Sequence, residues 1–244
     1  MIRQIITYTC RTCGSPNIVK NGTNKCGNPQ YHCKDCGAYR VLQPQERYPP
    51  PQKATILRAC SERISLRGLQ RVFGVHRHTV SRWLVTHVRH LPLLVDTLLP
   101  AQDKDVLELD EAWTFVGNKT TGACWLWTAL CRRTRQIVAF FSGAHDEAAC
   151  QQLWQRVPPA YAACATRSDG WRTYTAVLPA EQHRTVSKQT GETAHQERWY
   201  NSLRQRLARY VRKTLSFSKS EVALYWWTLK FILEHNRHRL SLTL

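Results

Sequence analysis

Acidic side chains are scarce in this sequence. Its 17 Asp and Glu stand against 35 Lys and Arg, a formal charge of +18 over 244 residues. Methionine occurs once, and no apolar run approaches the roughly 20 residues of a membrane-spanning helix. The two greasiest stretches, LPLLVDTLLPA from residue 91 and ALYWWTLKFIL from residue 223, are interrupted by Asp96 and Lys230. The opening residues MIRQIITYTCRTC lack the apolar centre and small-residue cleavage site of a secretory signal. These absences predict a cytoplasmic protein without a membrane anchor. They also predict that the 10 cysteines serve as thiols or metal ligands instead of a disulfide framework.

What is present excludes other classes. A 43% hydrophobic content with 10% aromatics is too much for a disordered chain. The positive excess suits a polyanion, most simply nucleic acid. It is unevenly spread: residues 101–197 hold 11 acidic and 10 basic groups, whereas residues 198–244 hold 2 and 10. A protein that merely coats DNA has no use for such an acidic island. An enzyme that holds divalent cations against DNA does, because clustered carboxylates bind the metal while flanking bases grip phosphates. An ordinary globular domain between basic tails would give the same composition, so the decision falls to the motifs.

The first motif is a pair of knuckles, Cys10-Arg-Thr-Cys13-Gly and Cys33-Lys-Asp-Cys36-Gly. Two thiolates three positions apart reach one tetrahedral zinc, and a second pair completes a four-cysteine structural site. NIVKNG and PQYHCK between them alternate like two short strands, so residues 1–48 are expected to form a zinc ribbon. Cys26 has no knuckle partner and His32 abuts Cys33, so neither is assigned as a ligand.

PPPQ at 49–52 breaks the chain, and residues 52–90 follow as a helix-turn-helix domain. Ser65 caps a short helix bearing Leu66, Leu69, Val72 and Phe73; Gly74 permits a sharp turn; Val75 packs the corner. A second helix runs from about Arg77 to Val88, with Leu69, Val75, Val80 and Leu84 buried and Arg77, His78, Ser81 and Arg82 exposed for DNA. A plain helical hairpin is the bland alternative. Residues 91–104 read as a linker.

From residue 105 to 244 the pattern predicts strands at 106–117, 123–132, 136–143 and 162–167, and helices at 145–157, 192–213 and 221–238. This is a mixed sheet flanked by helices, and the whole chain reads as an α+β multidomain protein with a ribonuclease H-like core and C-terminal helices. Asp110 lies mid-strand between Leu109 and Trp113, where buried unpaired charge is costly. Asp169 follows the fourth strand, and Glu197 stands on the next helix, with Glu192 as its competitor. In a ribonuclease H-like sheet those places converge, as two-metal phosphoryl transfer with Mg2+ or Mn2+ requires. By alternation Glu108 shares the face of Asp110 and Glu111 points the other way, expected at the solvated strand end. His195 reads as a surface group of its helix and Trp171 as a packing residue, although either could touch DNA. Asn201 and Arg204 continue the face of Glu197, and Arg204, Arg206, Arg209, Arg212 and Lys213 form a basic stripe within reach of phosphates.

LELDEAWTFVG, RSDGWRTY and above all HQERWYNSLRQRLARYVRKTLSFSKS resemble the transposases of the insertion-sequence-one family of bacterial mobile elements. The cysteine knuckles and helix-turn-helix match that family's N-terminal half, so the resemblance spans nearly the whole chain. It implies a DDE-type core with Asp110, Asp169 and Glu197 as the triad. It also implies binding to the element's terminal inverted repeats, 3′-end cleavage and strand transfer into target DNA by a nucleoid-associated bacterial protein. Two DNA ends must meet, so a homodimer or larger homo-oligomer is expected, with the Trp226–Trp227 helix as one surface and a buried core helix as the alternative. Two other functions fit the same features. A regulator or repressor with an inactive catalytic domain would bind DNA without metal chemistry, and a ribonuclease H-like nuclease would cut without joining.

Overall fold

The computed structural model describes residues 6–44, 47–187, 191–211 and 213–242, and the chain divides into two compact units, Met1–Lys53 and Ala54–Leu244. In the first unit β1 (Ile18–Thr23), β2 (Pro29–Cys33) and β3 (Tyr39–Arg40) form an antiparallel sheet in that order. Each knuckle closes with the same bond: Gly14 N–H donates to Cys10 O, and Gly37 N–H to Cys33 O. Both glycines have positive φ, +78° and +69°, a conformation that a Cβ disfavours.

Helix α1 (Pro50–Ala59) leads into the second unit, followed by α2 (Leu66–Phe73) and α3 (Arg77–Arg89). Ser65 caps α2, accepting from Gly68 N–H, and Gly74 ends it in the left-handed conformation at φ 65°. Leu69, Val75, Val80 and Leu84 are buried as the periodicity demands. Residues 91–104, expected as a linker, are a packed strap. They contain a 3-10 turn at Val95–Thr97, Thr97 is buried, and Gln136 donates to its carbonyl. Leu99 N–H in turn donates to the Gln136 side chain. Leu98 and Ala101 pack against the core while Leu93 and Val95 stay exposed, and the strap belongs to the same unit as α2 and α3.

The central sheet has five strands: β4 (Val106–Phe115), β5 (Ala123–Cys131), β6 (Ile137–Gly143), β7 (Ala165–Ser168) and β8 (His183–Thr185). Their order is β6-β5-β4-β7-β8, with β4, β5 and β6 antiparallel neighbours and β7 and β8 parallel to β4. Helices α4 (Glu147–Trp154), α5 (Pro159–Ala162) and α6 (Arg172–Val177) stand between β6 and β8 in sequence. Leu107, Leu109, Trp127, Cys150, Leu153 and Tyr174 fill one core cluster. Helices α7 (Ala194–Arg206) and α8 (Glu221–Ser241) complete the chain.

Two elements differ from expectation. Strand β8, the tripeptide His-Arg-Thr, carries no apolar pattern, and its pairing with β7 alone makes it a strand. Helix α7 stops at Arg206, well before 213, because the chain turns inward to bury Leu207, Arg209 and Tyr210. Helix α8 buries Lys230 where the sequence showed an interruption: its ammonium donates to Glu234 and to Ser61, both at 2.6 Å. Of the tryptophan pair, Trp227 is buried and Trp226 half-buried beneath the Arg89 guanidinium.

Candidate metal centre, carboxylate site and nucleic-acid interface

The four knuckle sulfurs, of Cys10, Cys13, Cys33 and Cys36, lie within 4.8 Å of one another. Cys10–Cys36 and Cys13–Cys33 are each 3.6 Å apart, far beyond a disulfide bond. Zinc–sulfur bonds of about 2.3 Å in a tetrahedron place sulfurs about 3.8 Å apart, so the cage fits zinc. Backbone N–H groups of Cys13 and Thr12 pull the Cys10 thiol down, whereas the crowding of neighbouring sulfurs and burial hold Cys13 and Cys36 up. Cys26 is exposed outside the cage, and His32 stacks on Tyr39 with ring centroids 4.3 Å apart.

The carboxylates are set by the sheet. In the parallel pairing of β4 with β7, Glu108 stands opposite Arg167; Asp110 lies two residues further along β4, and Asp169 follows Ser168, the last residue of β7. Neighbouring strands lie about 4.8 Å apart, so both aspartates leave adjacent strands at one edge. The Asp169 carboxylate accepts from Trp171 N–H at 3.2 Å, which fixes the turn behind β7. Helix α7 covers the Asp110 face. The Tyr200 hydroxyl donates to the Asp110 carbonyl at 2.7 Å and meets Thr128 Oγ1, while the Gln196 side chain also bonds Thr128. Burial holds Tyr200 neutral, its pKa well above the usual phenol range. Glu197, in the first turn of α7, is exposed, and Asn201 one turn on is exposed with it. Among the described residues the four thiols are the one set of three or more potential ligands within 4.8 Å, and Asp110, Asp169 and Glu197 form no such set.

Glu108 and Glu192 hold the scaffold. Fully buried, Glu108 accepts from Arg132 Nε at 2.9 Å and from the Gln196 N–H at 3.1 Å, with His195 Nδ1 at 3.5 Å. Burial pushes its pKa up, opposed by the arginine. It therefore pins the start of α7 to β4, and His195, read from sequence as a surface group, packs into that contact. Glu192 sits 3.8 Å from both Arg132 and Arg167.

Glu111 corrects an expectation. Its side chain is only 9% exposed: the Tyr174 hydroxyl donates to it at 2.5 Å and His145 Nε2 lies at 3.1 Å. His145 is itself stacked between Trp125, at 3.9 Å, and Trp171, at 3.8 Å. Trp171 thus packs, and it braces the turn that carries Asp169. The signal was available, since alternation put Glu111 on the apolar face of Leu107 and Leu109, where a carboxylate must find donors.

The basic stripe does not survive as one face. Arg209 is buried, its guanidinium 4.1 Å over the Trp227 ring and bonded to Ser218, and burial lowers its pKa to about 9. It is withdrawn from any phosphate. Arg206 bonds Glu62 at 2.6 Å and the Ser61 carbonyl, Arg204 leans over the Tyr200 ring, and Lys213 is exposed. Arg212 lies outside the described residues. On α3, Arg77, His78 and Arg82 are exposed and Ser81 half-buried, all without a neighbouring strand or helix drawn over them by their own bonds.

The profile of the family described as IS1 transposase matches residues 105–236, from the strap before β4 to the middle of α8. The chain is similar to the insertion element iso-IS1n protein InsB of Shigella dysenteriae, 35% identical over 115 residues covering 47% of this chain and 84% of that protein. It is also similar to the IS1 protein InsB of Shigella flexneri, 38% identical over 46% of this chain and 82% of that one. For the IS1 4 protein InsB of Escherichia coli (strain K12) the figures are 37%, 46% and 65%. Among solved structures it is similar to the mariner Mos1 paired end complex with Mg, at 10% identity and a TM-score of 0.33, covering 85% of this chain and 81% of that one. These matches define a DNA-transposing enzyme. The chain belongs to the IS1 transposase family.

Proposed function

We propose that this chain is a DDE-type transposase that grips the terminal inverted repeats of its element, cleaves their 3′ ends and joins them to target DNA. The observation that supports this reading is that Asp110 and Asp169 each follow the Glu108–Arg167 pair of two parallel strands by two residues, with Glu197 on the helix that bonds the Asp110 carbonyl. The strand order β6-β5-β4-β7-β8, three antiparallel strands and then two parallel ones, supports a ribonuclease H-like core. Asp110, Asp169 and Glu197 offer hard oxygen donors, which suit Mg2+ or Mn2+. Such ions neutralise charge on the scissile phosphate and polarise the attacking oxygen.

The chain's own groups supply position. Tyr200 and Glu108 fix α7, whose first turn carries Glu197, on β4. The Trp125–His145–Trp171 stack fixes the turn of Asp169. Glu192 is engaged by two arginines, which favours Glu197 as the third carboxylate. No covalent protein intermediate is needed: water attacks the first phosphodiester, and the freed 3′-hydroxyl attacks the second. Arg77, His78, Ser81 and Arg82 would read the repeat in the major groove, steadied by a zinc ribbon. Asn201, Arg204 and Lys213 would meet phosphates near the cut, and bringing two ends together calls for a homodimer or larger assembly. No helix among the described residues is long and apolar enough to cross a membrane.

The test is strand transfer of a pre-cut terminal-repeat oligonucleotide into plasmid DNA with Mg2+, comparing wild type with Glu197→Gln. Joined product should fall by roughly 10³-fold in the variant, the several kcal/mol that metal-held charge contributes, while repeat binding persists. Repeat binding without joining by the wild type would make the chain a regulator, and cleavage without joining a nuclease.

A further inference from the structure

A cleft of about 420 Å³ opens between the start of α2 and the segment that follows α7. It is lined by Arg63, Ser65, Gly68, Arg71, Lys213 and Ser216, with little apolar surface and no carboxylate. We propose that this cleft holds a backbone phosphate of DNA, so that one phosphodiester is gripped jointly by the helix-turn-helix and by the chain leaving α7. The inference rests on the DNA-binding reading above and adds a site to it.

Three observations converge. The first is charge: all three ionisable groups in the lining are cationic, and among the described residues none of them forms an ion pair with a carboxylate. By contrast Arg206, Arg132 and Arg133 are each engaged by an acid. Unpaired cations that share a small polar cleft repel one another, and an anion between them relieves the repulsion.

The second is backbone. Arg63 adopts φ 58°, the left-handed region, and its N–H donates to the Arg206 carbonyl at 2.6 Å. Glycine adopts that conformation without penalty, whereas arginine does not. The guanidinium is therefore kept at the cleft against a backbone cost, and such residues gather at binding sites.

The third is the helix end. The N-terminus of α2 borders the cleft through Ser65 and Gly68, adding the positive end of the helix dipole. A side chain at Gly68 would crowd it, since a Cβ there would come within 2.9 Å of Ile64 Cγ2. In a helix-turn-helix seated with α3 in the major groove, the preceding helix crosses the phosphate backbone, which selects DNA as the source of the phosphate. Because Arg63 is tied to the last residue of α7, the site would also set the duplex in register with Glu197, at the other end of that helix.

The experiment uses the full chain and two probes, a random-sequence duplex and sodium phosphate. Arg63→Gly and Arg71→Ala should each weaken duplex binding by about 5- to 10-fold and lower the slope of log affinity against log salt by about 1. Arg63→Gly should melt no lower than wild type, because glycine suits φ 58°. If the double variant keeps wild-type affinity and slope while Arg82→Ala still weakens binding, the cleft assignment falls and the DNA-binding reading stands. If wild type shows no salt-dependent duplex binding, both fall. If sodium phosphate stabilises wild type but not the double variant and duplex affinity is unchanged, the cleft takes a free anion and the DNA assignment is overturned.

Discussion

The two units of this chain are held by opposite means. Among the described residues up to Lys53, only Cys10 and Cys33 are buried, and both belong to the sulfur cage. The second unit buries aliphatic and aromatic residues on every strand of the sheet from β4 to β6 and along α8, with Leu107, Leu109, Trp127, Leu153 and Ile232 almost wholly enclosed. A small unit without an apolar core cannot offset its chain entropy by burial, so its folding energy must come from ligand bonds. The larger unit has the area to fold by burial. The contrast predicts that the first unit depends on a metal held by the four thiols, whereas the second does not.

The largest effect follows directly. Stripping the cage with a chelator, or replacing Cys33 with Ser, should unfold the first unit outright, since structural zinc contributes roughly 10–16 kcal/mol in such sites. The second unit should melt where it did before. Hydrogen exchange read separately on β1–β2 and on β4–β5 checks this. Protection of β1–β2 amides that survives chelation would break the comparison.

The next effect sharpens the other half. Lys230 is buried at one end of a small polar bridge, to Glu234 and Ser61, and its neighbours in the chain Phe231, Ile232 and Leu233 are buried with it. Removing one partner strands the rest, so Lys230→Ala should cost on the order of 3 kcal/mol. Lys230→Met keeps the stem volume and should cost clearly less, if burial and not the ion pair holds this unit. Urea unfolding of both variants decides it; equal losses would assign the stability to the bridge.

The same contrast explains what could be read in the sequence. The cage was legible because two knuckles of fixed spacing and their glycines are local, and a metal site needs little else. Helices α2 and α3 and the turn between them were legible for the same reason: Ser65, Gly74 and the apolar positions at 69, 75, 80 and 84 state them within one short segment. Asp110 was visible as a charge where a strand pattern had no place for one. What stayed hidden depended on partners distant in sequence. Strand β8 exists through β7, and Glu111 is buried through Tyr174 and His145. The strap at 91–104 looked like a linker because its bonds run to Gln136. Arg209 looked like a phosphate ligand because periodicity carried α7 past its end, and nothing local announces that Trp227 would take the guanidinium.

The smallest effect separates the units by pH. His235, on α8, donates from Nε2 to the Arg135 carbonyl at 2.7 Å, and burial lowers its pKa from 6.5 to about 4, with Arg239, His238 and Arg206 adding to the shift. The folded state thus favours the neutral ring. Its contribution is complete above about pH 6.5 and is lost as the pH falls through 4, on the order of 2 kcal/mol. His183, lowered by burial, acts in the same direction, whereas Glu108, raised by burial, acts against it. Asp105, lowered by its bonds to Arg133, loses its contribution only on the more acid side. His235→Gln keeps a donor and removes the titration, so comparing it with wild type cancels the other groups. The first unit also weakens in acid as its thiolates take up protons, which means that stability must be followed on a second-unit signal such as exchange of the β5 amides. There the gap between wild type and variant should change by about 2 kcal/mol between pH 7 and pH 4. Parallel curves would place the acid sensitivity of this unit in its carboxylates and not in its core histidine.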